Sequence, residues 1–374
     1  MRYYIIAGEA SGDLHGANLM RALKRLDPAA DIRFWGGDDM AAVGGTMVRH
    51  IRDLAIMGFV EVAMHLRTVL GNISFCKKDI QQYNPDAIIY IDYPGFNLKI
   101  AKWAHRQGFR DYHYISPQLW AWKKGRIKTM RRDLDGLYYI LPFEQDFYAN
   151  NAMPQAHFVG HPLLDAVPQI ATSGSEPLFH DERPIIAMLP GSRRMELKNM
   201  MPIMLRTAAR HPEYHFVVAG MSLLGQARYR NYMAHAGENV SIVYDKTYAL
   251  LSQAHAALIC SGTATLETAL MNVPQVVCYA GNALSYAIAR AVVGKRIKYI
   301  SLVNLIADKP ILVELLQGDL NDSRLEQEFA KIANDEDYRA KMLAGYDEVR
   351  ELLGGSGASD RTAQMIIDDI KKKK

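Results

Sequence analysis

Short apolar runs alternate with longer amphipathic stretches along the whole chain. The runs Tyr3–Ala7, Ala87–Ile91, Asp111–Ile115, Gly136–Leu141 and Ala156–Val159 punctuate the first half, and Ile185–Leu189, His215–Ala219, Val240–Val243, Ala256–Cys260 and Gln275–Tyr279 the second. Between them apolar positions recur at helical spacing, as in Leu14–Leu26 and Arg194–Arg210. Strands alternating with helices predict parallel sheets wrapped by helices, the α/β doubly wound class. The stretch Ala166–Pro184 breaks the pattern: it holds Pro168, Ser173-Gly174-Ser175, Pro177 and Pro184 with little apolar periodicity, and reads as a linker. The expected organisation is two Rossmann-like domains, 1–168 and 183–345, followed by a helical segment, 346–374, for which packing back on the first domain is one option. Two such domains facing across a cleft would bring the strand ends of both around one ligand.

Composition narrows the class. With 374 residues, 49% hydrophobic and 22% charged, the chain has enough apolar material for two ordinary cores. No uninterrupted apolar stretch reaches the roughly 18–20 residues that cross a bilayer, and Met1-Arg2 runs directly into a strand-like segment, so a cytoplasmic protein is expected. Cys76, Cys260 and Cys278 are far apart in apolar contexts, which suits reduced core residues rather than a disulfide framework or a zinc site. The net charge of +4 is mild, but cations cluster at Lys123–Lys128, Arg131-Arg132, Lys295–Lys298 and Lys371–Lys374. These are either solvated helix faces or contacts to an anionic surface or substrate.

Chemistry concentrates where strands end. Gly8-Glu9-Ala10-Ser11-Gly12-Asp13 follows the first run and precedes a helix, which sets backbone N–H groups and two carboxylates at the mouth of a sheet. Gly8 and Gly12 do not make the dinucleotide fingerprint, so a hydroxyl-rich ligand fits better than nicotinamide or flavin. Asp92, at the end of Ile88–Ile91, is the candidate base for an alcohol, its bland alternative being a turn cap before Pro94. His15 is a candidate second base or hydroxyl donor, or an ordinary buried histidine. In the second half, Gly191, Ser192 and Arg193 open one helix and Ser261, Gly262 and Thr263 another; two such helix starts converging on a diphosphate is the expected use. Glu267, one turn further on, suits either a pair of ribose hydroxyls or a helix-start cap, and Asn304 either a polar contact from a loop or an Asx turn. Trp120 and Trp122 beside lysines, and the apolar stretch Met57–Phe75, suit a membrane-facing surface or core.

Taken in order, Ala7–Asp13, Met57–Val62, Ile91–Asn97, Ser116–Trp122, Gly160-His161-Pro162, Leu189–Arg193 and Ser261–Glu267 resemble the lipid-A-disaccharide synthases over nearly the entire chain. One departure is Gly95, where the family usually carries a second aspartate. The resemblance implies the GT-B architecture and an inverting transfer from UDP-2,3-diacylglucosamine to 2,3-diacylglucosamine 1-phosphate (lipid X), giving a β-1′,6-linked disaccharide 1-phosphate and UDP. Asp92 would then be the base, with Glu9, Ser11, Asp13 and His15 around it, and Gly191, Ser192, Arg193, Ser261, Gly262, Thr263, Glu267 and Asn304 would hold the nucleotide. No cofactor and no metal are implied, since UDP-sugar is a substrate and arginine with helix starts neutralises the diphosphate. Acylated substrates imply peripheral attachment to the cytoplasmic face of the inner membrane, with no nucleic acid partner and a homo-oligomer left open. The alternatives are another UDP-sugar enzyme, such as a UDP-N-acetylglucosamine 2-epimerase or the lipid II glucosaminyltransferase, or a glycolipid-binding protein without turnover.

Overall fold

The computed structural model describes residues 1–54, 66–119, 125–167, 177–179, 181–281 and 298–372. The chain divides into two compact units, Met1–Ala166 with Leu353–Lys374, and Val167–Leu352. In the first, β1 (Arg2–Ala7), β2 (Asp31–Gly36), β3 (Thr46–His50), β4 (Ala87–Ile91), β5 (Asp111–Tyr114), β6 (Gly136–Tyr139) and β7 (Ala156–Phe158) form one parallel sheet in the order β3-β2-β1-β4-β5-β6-β7. Its helices are α1 (Ala10–Leu26), α2 (Asp38–Val43), α3 (Leu66–Tyr83), α4 (Pro94–Arg106), α5 (Arg126–Asp133) and α6 (Glu144–Asn150). The central strands are apolar because helices cover both faces: every residue of Ala87–Ile91 is buried. Trp35, Tyr4 and Phe96 fill the core between sheet and helices, with the Trp35 indole N–H donating to the Tyr4 hydroxyl at 2.8 Å.

The second unit repeats the plan. Strands β8 (Ile185–Leu189), β9 (His215–Gly220), β10 (Val240–Tyr244), β11 (Ala254–Cys260), β12 (Gln275–Tyr279) and β13 (Glu314–Leu316) lie parallel in the order β10-β9-β8-β11-β12-β13. Its helices are α7 (Arg194–Arg210), α8 (Gln226–Met233), α9 (Thr247–Leu251), α10 (Thr263–Leu270), α11 (Leu302–Ala307), α12 (Asp322–Asn334) and α13 (Glu336–Leu352). In both sheets the order reverses beside the first strand of the unit. That reversal opens a crevice at the carboxyl ends of β1 and β4, and again at those of β8 and β11.

The last helix, α14 (Ala358–Lys372), belongs to the first unit and packs along α1. Asp165 accepts the N–H groups of Gly357 and Ser359 and so caps it, and Arg361 Nε donates to Val159 O at 2.8 Å. Gly160, at φ +82°, leaves the space for this arginine, since a Cβ there would lie 2.5 Å from Arg361 Nη2. The Gly160-His161-Pro162 motif is thus a joint for the returning chain: His161 N donates to Leu353 O at 3.0 Å. Among the described residues no helix is long and apolar enough to cross a membrane.

Candidate active site

In the first unit, Ala7 pairs in register with Ile91, so Gly8 and Asp92 leave the sheet together at the reversal point. Gly8 carries no side chain because the Tyr93 ring occupies that space: a Cβ would lie 2.4 Å from it. Asp92 and Tyr93 both adopt the left-handed conformation, at φ 42° and 47°, and Ile115, which follows β5, does so at φ 63°. Non-glycine residues there, above all a β-branched one, cost on the order of 1–3 kcal/mol each and persist where surrounding contacts impose them. Asn97 supplies one such contact. Fully buried on α4, it donates from Nδ2 to Asp92 O at 2.7 Å and lies 3.4 Å from both Ile6 O and Ile91 O, which ties the ends of β1 and β4 beneath Asp92. Burial pushes the Asp92 carboxyl up to about 6; the nearby Glu9 charge adds to the shift, and a hydrogen bond from the Tyr93 backbone opposes it. A half-buried carboxylate poised near neutrality is suited to accept a proton from an alcohol.

The neighbours expected to assist it divide. Helix α1 starts at Ala10 after the extended N-cap Glu9, so Ser11, Gly12 and Asp13 form its first turn rather than a loop, with Glu9 and Ser11 exposed. Asp13 carries a structural load. Buried, it accepts the N–H groups of Gly37 at 2.6 Å, Asp39 at 3.0 Å and Met40 at 3.1 Å, which caps α2 and leaves its carboxylate committed. His15 is also buried, and burial pushes it down to about 4, so the imidazole is neutral at physiological pH. Its Nδ1 finds no partner among the described residues. Such a group has unspent hydrogen-bonding capacity for a ligand hydroxyl.

In the second unit the reversal lies between β8 and β11, with Leu189 paired to Ile259. Gly191, at φ +108°, turns the chain into α7, and a Cβ on it would lie 2.5 Å from Glu196 Oε2. That oxygen accepts from Ser192 N at 2.9 Å and Arg193 N at 3.1 Å, so the amides expected to face a phosphate are held by the helix's own third residue. The Arg193 guanidinium stands 3.7 Å from Glu196 and is 82% exposed. Ser261 N donates to Cys278 O, while Gly262 and Thr263 are exposed at the start of α10. Glu267 bonds to a side chain of another helix rather than to the start of its own. Its Oε1 accepts from the Tyr248 hydroxyl at 2.7 Å, and burial pushes its carboxyl up while Tyr248 opposes the shift. Asn304 lies in α11 rather than in a loop, buried, where Nδ2 donates to Leu312 O and Glu314 Oε1, and Oδ1 accepts from Ile311 N and Leu312 N. Every hydrogen-bonding position of the amide serves the 311–314 turn.

Several residues were missed on sequence. Asn97 and Glu196 had local signals, an amide beside the strand end and a capping-box acid three residues after Arg193. Tyr248 and Glu144 had none, because both act across the fold. Glu144 is buried and pushed up to about 8 by that burial; it accepts Ser116 Oγ at 2.7 Å and Leu141 N at 3.2 Å and anchors the segment after β5. Trp120, Trp122, Lys123 and Lys124 lie outside the described residues, as do 57–65 of the Met57–Phe75 stretch. Its described part leaves Leu70 53% and Phe75 42% exposed. Of the basic segment that follows, Lys128, Arg131 and Arg132 are exposed on α5.

Comparison with known proteins adds to this geometry. The lipid-A-disaccharide synthetase family matches residues 3–366. Lipid-A-disaccharide synthase of Geobacter metallireducens is 36% identical over 380 residues, covering 100% of this chain and 98% of the relative. That of Syntrophus aciditrophicus is 39% identical over 379 residues, covering 98% and 97%. Among solved structures, UDP-GlcNAc 2-epimerase from Neisseria meningitidis bound to UDP-GlcNAc superposes with a TM-score of 0.67 at 12% identity over 100% of both chains. The kitacinnamycin glycotransferase gives 0.67 at 14% identity over 99% of each. At that identity the structural likeness speaks for the two-domain GT-B fold alone.

Proposed function

This chain belongs to the lipid-A-disaccharide synthetase family, and we propose that its two units divide the reaction, the first moving the proton and the second holding the nucleotide. The enzyme is a glycosyltransferase of lipid A synthesis. Its donor is UDP-2,3-diacylglucosamine and its acceptor lipid X. The acceptor 6-hydroxyl oxygen forms a bond to the anomeric carbon on the face opposite UDP, and the bond from that carbon to the diphosphate oxygen breaks. The hydroxyl proton passes to the Asp92 carboxylate, and the electron pair leaves with UDP.

A departing diphosphate needs charge stabilisation more than a proton, so one carboxylate suffices. Arg193 and the helix starts at Gly191-Ser192 and Ser261–Thr263 supply that stabilisation, with Glu196 yielding the amides as the diphosphate arrives. Glu267 accepts from the ribose hydroxyls through the oxygen that Tyr248 leaves free. Neutral His15 offers Nδ1 to a substrate hydroxyl. Work on diacylated substrates sets the enzyme peripherally at the cytoplasmic face of the inner membrane, and exposed Leu70 and Phe75 suit that contact.

The observation that carries this reading is Asp92: strained, half-buried, raised toward neutrality and placed at the reversal point of its sheet. Mass spectrometry of the lipid product formed by wild type and Asp92→Asn tests it. The wild type should yield the disaccharide 1-phosphate and the variant almost none; a product equal in amount from the folded variant would move the base elsewhere.

A further inference from the structure

One face of the second unit carries cations that the reaction does not use. Arg194 and Lys198 stand one turn apart on α7, and Arg228, Asn231, Tyr232 and His235 follow the i, i+3, i+4, i+7 stripe of α8 and the turn after it. The two stripes line one groove of about 560 Å3. No acid lines it, and among the described residues none of Arg194, Lys198 and Arg228 forms an ion pair. Arg228 Nη1 donates to Leu224 O at 2.5 Å, which holds the guanidinium in place rather than letting it swing away from its neighbours. Like charges gathered without partners repel one another, and an anion seated among them removes that cost.

Phosphate esters have the right chemistry, and they come either as soluble molecules or as lipid headgroups. Met195 separates the two sources. It follows Arg194 on the same turn and is 56% exposed. An exposed apolar side chain next in the chain to a groove arginine gains nothing from a soluble ester but is stabilised by entering the acyl boundary of a membrane. We propose that this groove docks the second unit onto an anionic membrane surface, taking phospholipid phosphates between α7 and α8 while Met195 enters the bilayer. Only the choice of a bilayer rests on the lipid-processing function; the groove does not include Gly191, Ser192 or Arg193.

Co-sedimentation of the full chain with vesicles of phosphatidylcholine, with and without phosphatidylglycerol, is the test. Wild type should bind the anionic vesicles more tightly, and Arg194→Gln/Lys198→Gln/Arg228→Gln should bind them about 100-fold more weakly at low salt, three headgroup-facing charges having been removed. The exposed single change Lys198→Glu should cost about 10-fold and serves if the triple variant misfolds. Met195→Ser should weaken binding several-fold at high salt, where the charge contribution is screened. UDP titration of the same proteins should be unchanged. Loss of UDP binding by wild type would count against the nucleotide reading and not against this one. Equal binding of both vesicle types by wild type, or wild-type vesicle binding by the charge variants, overturns the proposal. So does loss of glycerol 3-phosphate binding in the variants with vesicle binding intact, which would make the groove a site for a soluble ester.

Discussion

The two units share one strand order yet treat the edge where their order reverses in opposite ways. The first unit stores strain there: Asp92 and Tyr93 are left-handed without being glycine, and Asp92 is raised toward neutrality by burial. The second unit relaxes the same edge. Its positive φ at the turn falls on Gly191, its helix start is capped by Glu196, and its acid Glu267 is held by Tyr248. Chemistry that needs a perturbed proton affinity accepts unfavourable backbone and buried charge, whereas binding an anion needs donors that an internal cap can release. Under the proposed function one topology serves two tasks, with side chains and local backbone deciding which.

The largest expected effect breaks the comparison at its strained end. Asp92→Asn should lower turnover roughly 10²–10⁴-fold with UDP affinity unchanged, measured by UDP release and calorimetric titration. Its stability at pH 7 should not fall. The folded state favours the protonated carboxyl, so the stability Asp92 contributes is present below its ordinary range and is lost as pH rises through about 6, and the neutral amide escapes that loss. Next, Arg193→Ala should cost about 2–4 kcal/mol in kcat/KM, because the leaving diphosphate gains charge as the bond breaks. Third, the wild-type kcat/KM should fall about tenfold per unit as pH drops below about 6, where Asp92 takes up its proton. A profile flat from pH 5 to 7 would remove Asp92 as the titrating base.

Smaller changes sharpen the relaxed end. Tyr248→Phe should weaken UDP by about 1 kcal/mol through loss of the hydrogen bond that orients Glu267. On a Glu267→Ala background it should add nothing, whereas a purely structural tyrosine would cost the same on both backgrounds. Glu196→Gln should have the least effect, lowering stability by roughly 0.5–1 kcal/mol as the cap weakens. It should also bind UDP more tightly by a few-fold, since the diphosphate no longer displaces a carboxylate from Ser192 N and Arg193 N.

The strands read most plainly from the chain are those whose burial on both faces makes them apolar throughout, such as Ala87–Ile91 and Ile185–Leu189, while the half-buried β7 and β10 are read from shorter apolar runs. Strands β2, β3 and β13 escaped for identifiable reasons. In β2, Arg33 interrupts the apolar run and is satisfied by Asp79 of α3 at 2.6 Å; β3 is a half-buried edge strand, and β13 has three residues. The local motifs also located the reversal-point loops, because a glycine or small residue between strand and helix is a short-range requirement.

Which of the polar residues in those loops remain available to a ligand is a different kind of question. Asp13 and Asp92 look alike in sequence, each an acid beside a strand end, yet Asp13 is committed to the N–H groups of Gly37, Asp39 and Met40, while half-buried Asp92 is met, among the described residues, by the Tyr93 backbone alone. Asn304 and Glu267 part in the same way, one saturated by the 311–314 turn and the other held through a single oxygen. The chain alone determined the element pattern, the strand ends and the kinds of group placed there, since these follow from neighbours in sequence. Only the tertiary structure decided which of those groups were already satisfied, because the donors that claim or spare a carboxylate arrive from strands and helices distant in the chain, and an unclaimed, half-buried group is what retains free energy for a substrate.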